Sequence, residues 1–277
     1  MPDLAYTDMT TDELKFAKAR CRGLRRRILA VSQKLPALHV GPAFSCLELV
    51  DAIYRHLMRL DTDYPDTFIL SKGHGGMAQF AVLEELGVLS KEDLDFTCQS
   101  GGRLGGHPDY GLPGVEASTG SLGHGLPIAL GMALADRERK QDRIIYVVMS
   151  DGELQEGSNW EAFLLAPSLG ITSVIAFIDS NGFNARAPLK ENHPNIYPLS
   201  DKFRAFGWEA TEIDGHNHTE IINAVHGRQR DRPLVVIANT IKGKGVSFME
   251  NKAIWAYRSP NLEEYELALT ELMEEGA

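Results

Sequence analysis

The chain has 277 residues, 43% of them hydrophobic and 24% charged, and a formal net charge of −10. That length suits one large α/β domain, and the composition is that of a water-soluble globular protein. No apolar run approaches the roughly 20 residues of a membrane span, and the negative balance argues against a nucleic-acid surface.

The N-terminal stretch Met1-Pro2-Asp3-Leu4-Ala5-Tyr6-Thr7-Asp8 has neither the basic nor the apolar part of a signal peptide. Cys21, Cys46 and Cys98 are odd in number and widely spaced, so a disulfide framework is not expected and a cytoplasmic location is. Thr10 and Glu13 have the spacing of a capping box. Leu14, Ala17, Cys21, Leu24, Ile28 and Val31 then mark one apolar face of a helix. Arg20, Arg22, Arg25, Arg26 and Arg27 mark its other face, expected to be solvated or to face another subunit.

A Gly/Pro loop, Leu38 to Ala43, leads to a helix expected from about Ser45 to Leu60. Thr67 to Leu70 reads as a short strand, and His74 follows it in Ser71-Lys72-Gly73-His74, opening a helix through Leu86. Residues 97 to 122 form a Gly-rich loop whose length suggests function; it contains Gly106-His107-Pro108 and Gly120-Ser121-Leu122, with Gly123 next. Small residues from Pro127 to Ala135 suit a closely packed helix.

Ile144 to Met149 and Val174 to Ile178 are continuous apolar runs, as expected of parallel strands buried on both faces, with a helix between them from Trp160 to Leu169. They run into Asp151-Gly152-Glu153-Leu154-Gln155-Glu156-Gly157 and Asn181-Gly182-Phe183. Both loops therefore lie at the carboxyl edge of a sheet, where open α/β folds bind ligands. The Asp151 carboxylate, the Asn181 amide oxygen and a Phe183 carbonyl are three hard oxygens that suit Mg²⁺ or Ca²⁺. Gly152 lets the backbone approach a phosphate. Either turn dipeptide alone would be unremarked; the pair across one β-α-β unit is informative.

Beyond them, Asp201–Phe206 and Thr219–Gly227 read as helices, Trp208–Ile213 as extended, and Pro233–Ala238 as another buried strand. That strand ends in Asn239-Thr240-Ile241-Lys242-Gly243-Lys244-Gly245, where Lys242 is a phosphate-binding candidate. Asn261 to Glu275 reads as an Asn-capped acidic helix. Strands alternating with helices imply a doubly wound, mostly parallel α/β sheet.

The Asp-Gly…Asn-Gly-Phe pair resembles the thiamine diphosphate motif of transketolases, with Ser150 in place of the usual first Gly. The likeness extends over nearly the whole chain and is to the N-terminal subunit of transketolases split into two chains. It implies the diphosphate-binding module of the thiamine diphosphate fold as a single domain over residues 1–277. The pyrimidine-binding domain is then expected on a separate C-terminal subunit, in a heterotetramer. The resemblance also implies transfer of a two-carbon ketol unit from a ketose, phosphorylated or otherwise anionic, to an aldose. On the same ground Asp151, Asn181 and the Phe183 carbonyl bind the metal, and His74, Gly120, Leu122, Gly152 and Lys242 hold the cofactor. His39 and His107 are the catalytic groups that orient substrate hydroxyls and shuttle protons, and Glu156 acts with them from the subunit interface, in contact with a partner carboxylate that activates the cofactor's aminopyrimidine.

The pattern breaks at Trp255-Ala256-Tyr257-Arg258, where the family has His at the position of Ala256. The alternatives are a different substrate, a disabled enzyme, or substitution by Tyr257 or Arg258. Rival functions are a part in a 2-oxo acid dehydrogenase or a deoxyxylulose-phosphate-type synthase, and a non-catalytic homologue. Zinc on His39, His74 and His107 is the competing metal chemistry.

Overall fold

The computed structural model describes residues 9–184 and 187–274. The N-terminal octapeptide and Glu275, the last residue of the expected acidic helix, lie outside the described residues. The helices are α1 (Thr11–Ser32), α2 (Val40–Ala52), α3 (Gly76–Glu85), α4 (Lys91–Asp95), α5 (Gly125–Arg139), α6 (Gly157–Ser168), α7 (Leu189–Asn192), α8 (Leu199–Ala205), α9 (His218–His226) and α10 (Leu262–Glu274). Five strands, β1 (Thr67–Leu70), β2 (Ile145–Ser150), β3 (Val174–Ser180), β4 (Glu209–Asp214) and β5 (Leu234–Asn239), form one parallel sheet in the order β1-β2-β3-β5-β4.

Right-handed crossovers decide where the helices go. From β1 to β2, β3 and then β4 the chain moves one way across the sheet, so α5, α6 and α8 pack on one face. The return from β4 to β5 places α9 on the other face, with α1, α2, α3 and α10. Strand residues alternate between the two cores: Tyr146 and Val148 face α1–α3, whereas Ile145, Val147 and Met149 face α5 and α6. Both faces are dry, which is why β2 reads as an unbroken apolar run. No helix among the described residues is long and apolar enough to cross a membrane.

Two local expectations need correcting, and one short helix had no counterpart in the sequence pattern. The helix expected from Ser45 begins at Val40, and its end is a π-helical turn, Ile53–Leu57. Pro42 is accommodated inside α2, because a proline in a first turn removes only an N–H that has no helical partner. The arginine face of α1 is not simply solvated: Arg25 is buried and forked onto Glu48, Arg20 binds Asp51, and Arg27 binds Glu84 and Asp95. The short helix α4, capped by a Ser90–Asp93 box, was not anticipated.

Candidate active site

Register builds the site. Ser150 at the end of β2 pairs with Asp179 in β3, which pairs with Ala238 in β5. Asp151 and Asn181 therefore emerge side by side just past the sheet edge. β1 and β5 leave that edge toward the α1–α3 face, while β2 and β3 leave toward the other, and the divergence opens a crevice. A cavity of about 400 Å³ fills it. Its wall brings together His39, His74, His107, Gly120 and Leu122 from the first half of the chain. Gly152, Glu156, Asn181, Phe183 and Lys242 come from the second half. Asp151 is fully buried behind that wall, between Ser150 and Gly152, which both line it.

The Asp151 carboxylate accepts from the Gly152 N–H at 2.8 Å and the Gly182 N–H at 2.7 Å. Burial and the neighbouring Asp179 carboxylate push its pKa up to about 7. A buried carboxylate in that position lacks a cation of its own. The Asn181 amide donates to Ser45 Oγ at 3.0 Å, and its oxygen accepts from the Phe183 N–H at 3.0 Å. A Cβ added at Gly152 would stand 3.3 Å from the Phe183 carbonyl oxygen, so that carbonyl lies over the turn after Asp151. Three hard oxygens gathered at an uncompensated charge fit a Mg²⁺-type ion.

The histidines sit opposite. His39 Nδ1 lies 2.5 Å from the Ala256 carbonyl and must donate to it, which leaves Nε2 free of that contact. The His39 ring centroid is 5.4 Å from that of His107 and 6.2 Å from that of His74. Burial first, then Lys72, holds His74 well below the ordinary histidine pKa, and burial lowers His107 too. Both are neutral at pH 7. Gly120 has φ +139°, and a Cβ there would stand 2.8 Å from the His107 ring, so this position requires glycine. The three imidazoles line a wall rather than converge on one point, which disfavours zinc. Among the described residues the cluster with metal-ligand spacing is Cys21, Asp51 and His218, and there Asp51 is already paired with Arg20 and Arg55.

Lys242 is 3% exposed and donates to the Asn184 carbonyl at 3.2 Å. Burial, reinforced by Lys72, lowers its pKa to about 8. A buried ammonium held by one carbonyl and the face of the Phe183 ring, 5.7 Å away, is suited to an anionic ligand. Glu156 is exposed at the mouth and is the N-cap of α6, yet its side chain makes no capping bond.

Several residues beneath the site were not anticipated. Lys72 and Asp179, both fully buried, form an ion pair, and Ser45 and Thr240 also donate to Asp179. Glu153 accepts from Ser71 Oγ at 2.5 Å and from the Gly123 N–H at 3.0 Å, tying the loop of Gly120 and Leu122 to the end of β2. Asp179 stands directly after the apolar run 174–178, where a charge reads as the start of a loop although the strand continues to Ser180. Ser150 costs nothing by replacing glycine, since its φ is not positive.

Residues 22–270 match the family model described as "Transketolase, thiamine diphosphate binding domain". The chain is 39% identical, over 92% of its length and 95% of the relative's, to the 6-deoxy-6-sulfo-D-fructose transketolase subunit of a Clostridium species. It is 37% identical to one of the apulose-4-phosphate transketolase subunits of Phocaeicola vulgatus, over 90% and 91% of the two chains. Human transketolase is 32% identical, but the match covers 88% of this chain and 40% of that protein. The solved transketolase of Campylobacter jejuni superposes with a TM-score of 0.86 at 26% identity, over 96% of this chain and 43% of that one. The chain belongs to the transketolase family, as the N-terminal, thiamine diphosphate-binding part of such a transferase.

Proposed function

We propose that the chain, a single domain over residues 1–277, is one subunit of a two-chain transketolase. It acts in the cytoplasm as a heterotetramer with a separate chain that carries the pyrimidine-binding domain. The complex moves a two-carbon ketol unit from an anionic ketose to an aldose. The observation that supports this most is the convergence of residues from both halves of the sequence on one cofactor-sized cavity above the Asp151–Asn181 edge. Relatives are named for apulose 4-phosphate and for 6-deoxy-6-sulfofructose, sugars with an anionic end, which favours a phosphate or sulfonate on the donor.

Asp151, Asn181 and the Phe183 carbonyl would hold Mg²⁺ against the diphosphate, and Lys242, His74 and the backbone at Gly152 would complete the cradle. Bound thiamine diphosphate supplies the electron sink for carbon–carbon cleavage. His39 is held through Nδ1 by the Ala256 carbonyl, which leaves Nε2 to exchange a proton, and neutral His107 stands beside it. The two can accept and return a hydroxyl proton as the ketose carbon–carbon bond breaks and reforms. Gly120 and Leu122 shape the wall against the aminopyrimidine.

A native mass spectrum of the chain, isolated gently from its source with thiamine diphosphate and Mg²⁺, tests the assembly. It should show a second polypeptide and bound cofactor; a cofactor-free homo-oligomer would shift the reading to a non-catalytic homologue.

Ala256 keeps that second reading in view. Arg258 does not replace the missing histidine, because it is forked onto Glu264 and stacked 4.2 Å over the Trp255 ring. Tyr257 lines the cavity and is half exposed. The position-256 contact to His39 comes from the backbone and survives any side chain. Ala256→His should therefore change turnover by less than about threefold. A gain of about a hundredfold, the scale of a restored general acid or base, would identify a disabled enzyme.

A further inference from the structure

The loop that carries Lys242 is anchored by a residue outside the cavity. His216, in the turn between β4 and α9, places Nε2 2.9 Å from the Ile241 N–H, one residue before Lys242. Only an unprotonated ring nitrogen accepts, so the proton sits on Nδ1, which lies 2.8 Å from Glu48 Oε2 in α2. Arg25 of α1 grips the same carboxylate at 2.6 and 2.9 Å. Burial alone would raise Glu48, yet Arg25 and His216 hold it below the usual carboxylate range. The tautomer of His216 is therefore set by a fixed anion, which leaves its acceptor facing the loop.

The turn fits closely. A Cβ at Gly215 would run into the Thr240 side chain and stand 2.9 Å from Ala238 Cβ. Such fixing matters because Lys242 is a buried cation held, among the described residues, only by the Asn184 carbonyl and the face of the Phe183 ring at 5.7 Å, and a looser loop would release it to water.

We propose that His216 is a positioning residue that holds the Lys242 ammonium on the cavity wall by relaying the Arg25–Glu48 pair to the Ile241 amide. This rests on reading Lys242 as a cofactor-binding group. Asparagine at 216 can still donate toward Glu48 but loses the acceptor for Ile241, whereas glutamine keeps an acceptor near the Nε2 position. In the assembled enzyme, His216→Asn should weaken thiamine diphosphate binding about tenfold, the scale of one lost buried hydrogen bond. Turnover at saturating cofactor should stay within about threefold, because the mutation acts on binding alone. Amide exchange at residues 241–245 should quicken without cofactor present, and His216→Gln should recover most of both effects. Lys242→Met separates the two ideas. If Lys242→Met weakens binding and His216→Asn changes neither affinity nor exchange, the relay is wrong. If Lys242→Met binds cofactor normally, the reading of Lys242 fails first. Equal losses in Asn and Gln variants would mean that His216 is merely packing.

Discussion

Replacing Asp151 by alanine should weaken Mg²⁺-dependent binding of thiamine diphosphate by more than about a hundredfold, since partners one shell out from a metal already cost 10–100-fold. Turnover should fall with it. The variant should still fold. Without a cation, Asp151 is a buried carboxylate beside Asp179, with its pKa raised to about 7. Removing it relieves a buried charge but also takes the acceptor from the Gly152 and Gly182 N–H groups, so the two effects offset and the melting temperature of the cation-free chain should change little. Cofactor and Mg²⁺, which should stabilise the native chain by mass action, should leave the variant's melting temperature unmoved.

The same raised pKa fixes a pH dependence. Because the folded value lies above the unfolded one, the contribution of protonated Asp151 to stability is complete below the ordinary aspartate range. It is lost as pH rises through about 7. The cation needs the ionised form, so below pH 7 affinity should fall about tenfold per pH unit and binding should release a proton. Calorimetry in buffers of different ionisation enthalpy reads that proton directly. An affinity flat from pH 8 to 5.5, or a normal response in Asp151→Ala, would remove Asp151 from the metal site.

The fold was legible wherever burial writes itself into consecutive residues. Ile145–Met149, Val174–Ile178 and Leu234–Ala238 are apolar on both faces because helices cover both sides, and all three are parallel strands. The order β1-β2-β3-β5-β4 was not legible, since no local pattern says that β5 inserts beside β3. Gly152, Asn181 and Lys242 could be read because their loops follow strands at once, whereas His39, His107, Gly120 and Leu122 follow no strand and rested on the family resemblance.

The support beneath the site is long-range. Lys72 and Asp179 are separated by 107 residues, and Glu48 and His216 by 168. Each looks like an ordinary surface residue until a partner from another element removes it from water. Arg25 shows the same limit. Its place on a polar stripe of α1 says solvent, yet one carboxylate on α2 offsets the cost of burying it. Helical periodicity reports which face is apolar, not which charges have found a mate.

Tested without its partner, the chain should turn over at least about a thousandfold more slowly, within the 10²–10⁴ range that a missing general acid or base costs. The argument rests on what the cavity lacks. Among the described residues lining it, Glu156 is the one carboxylate, and it stands exposed at the mouth rather than inside. An exposed acid without a capping bond is suited to meet a group from another chain, and the proposed partner would bring the carboxylate that activates the aminopyrimidine. Relative lengths agree: the subunit relatives match over more than 90% of their own chains, whereas human transketolase is matched over 40% of its length. Activity should therefore rise on titration with the second chain and saturate at equal stoichiometry, with Glu156→Gln weakening cofactor activation at saturating partner. Full turnover by the purified chain alone would mean that these histidines and Glu156 suffice, and the two-chain reading would have to be abandoned.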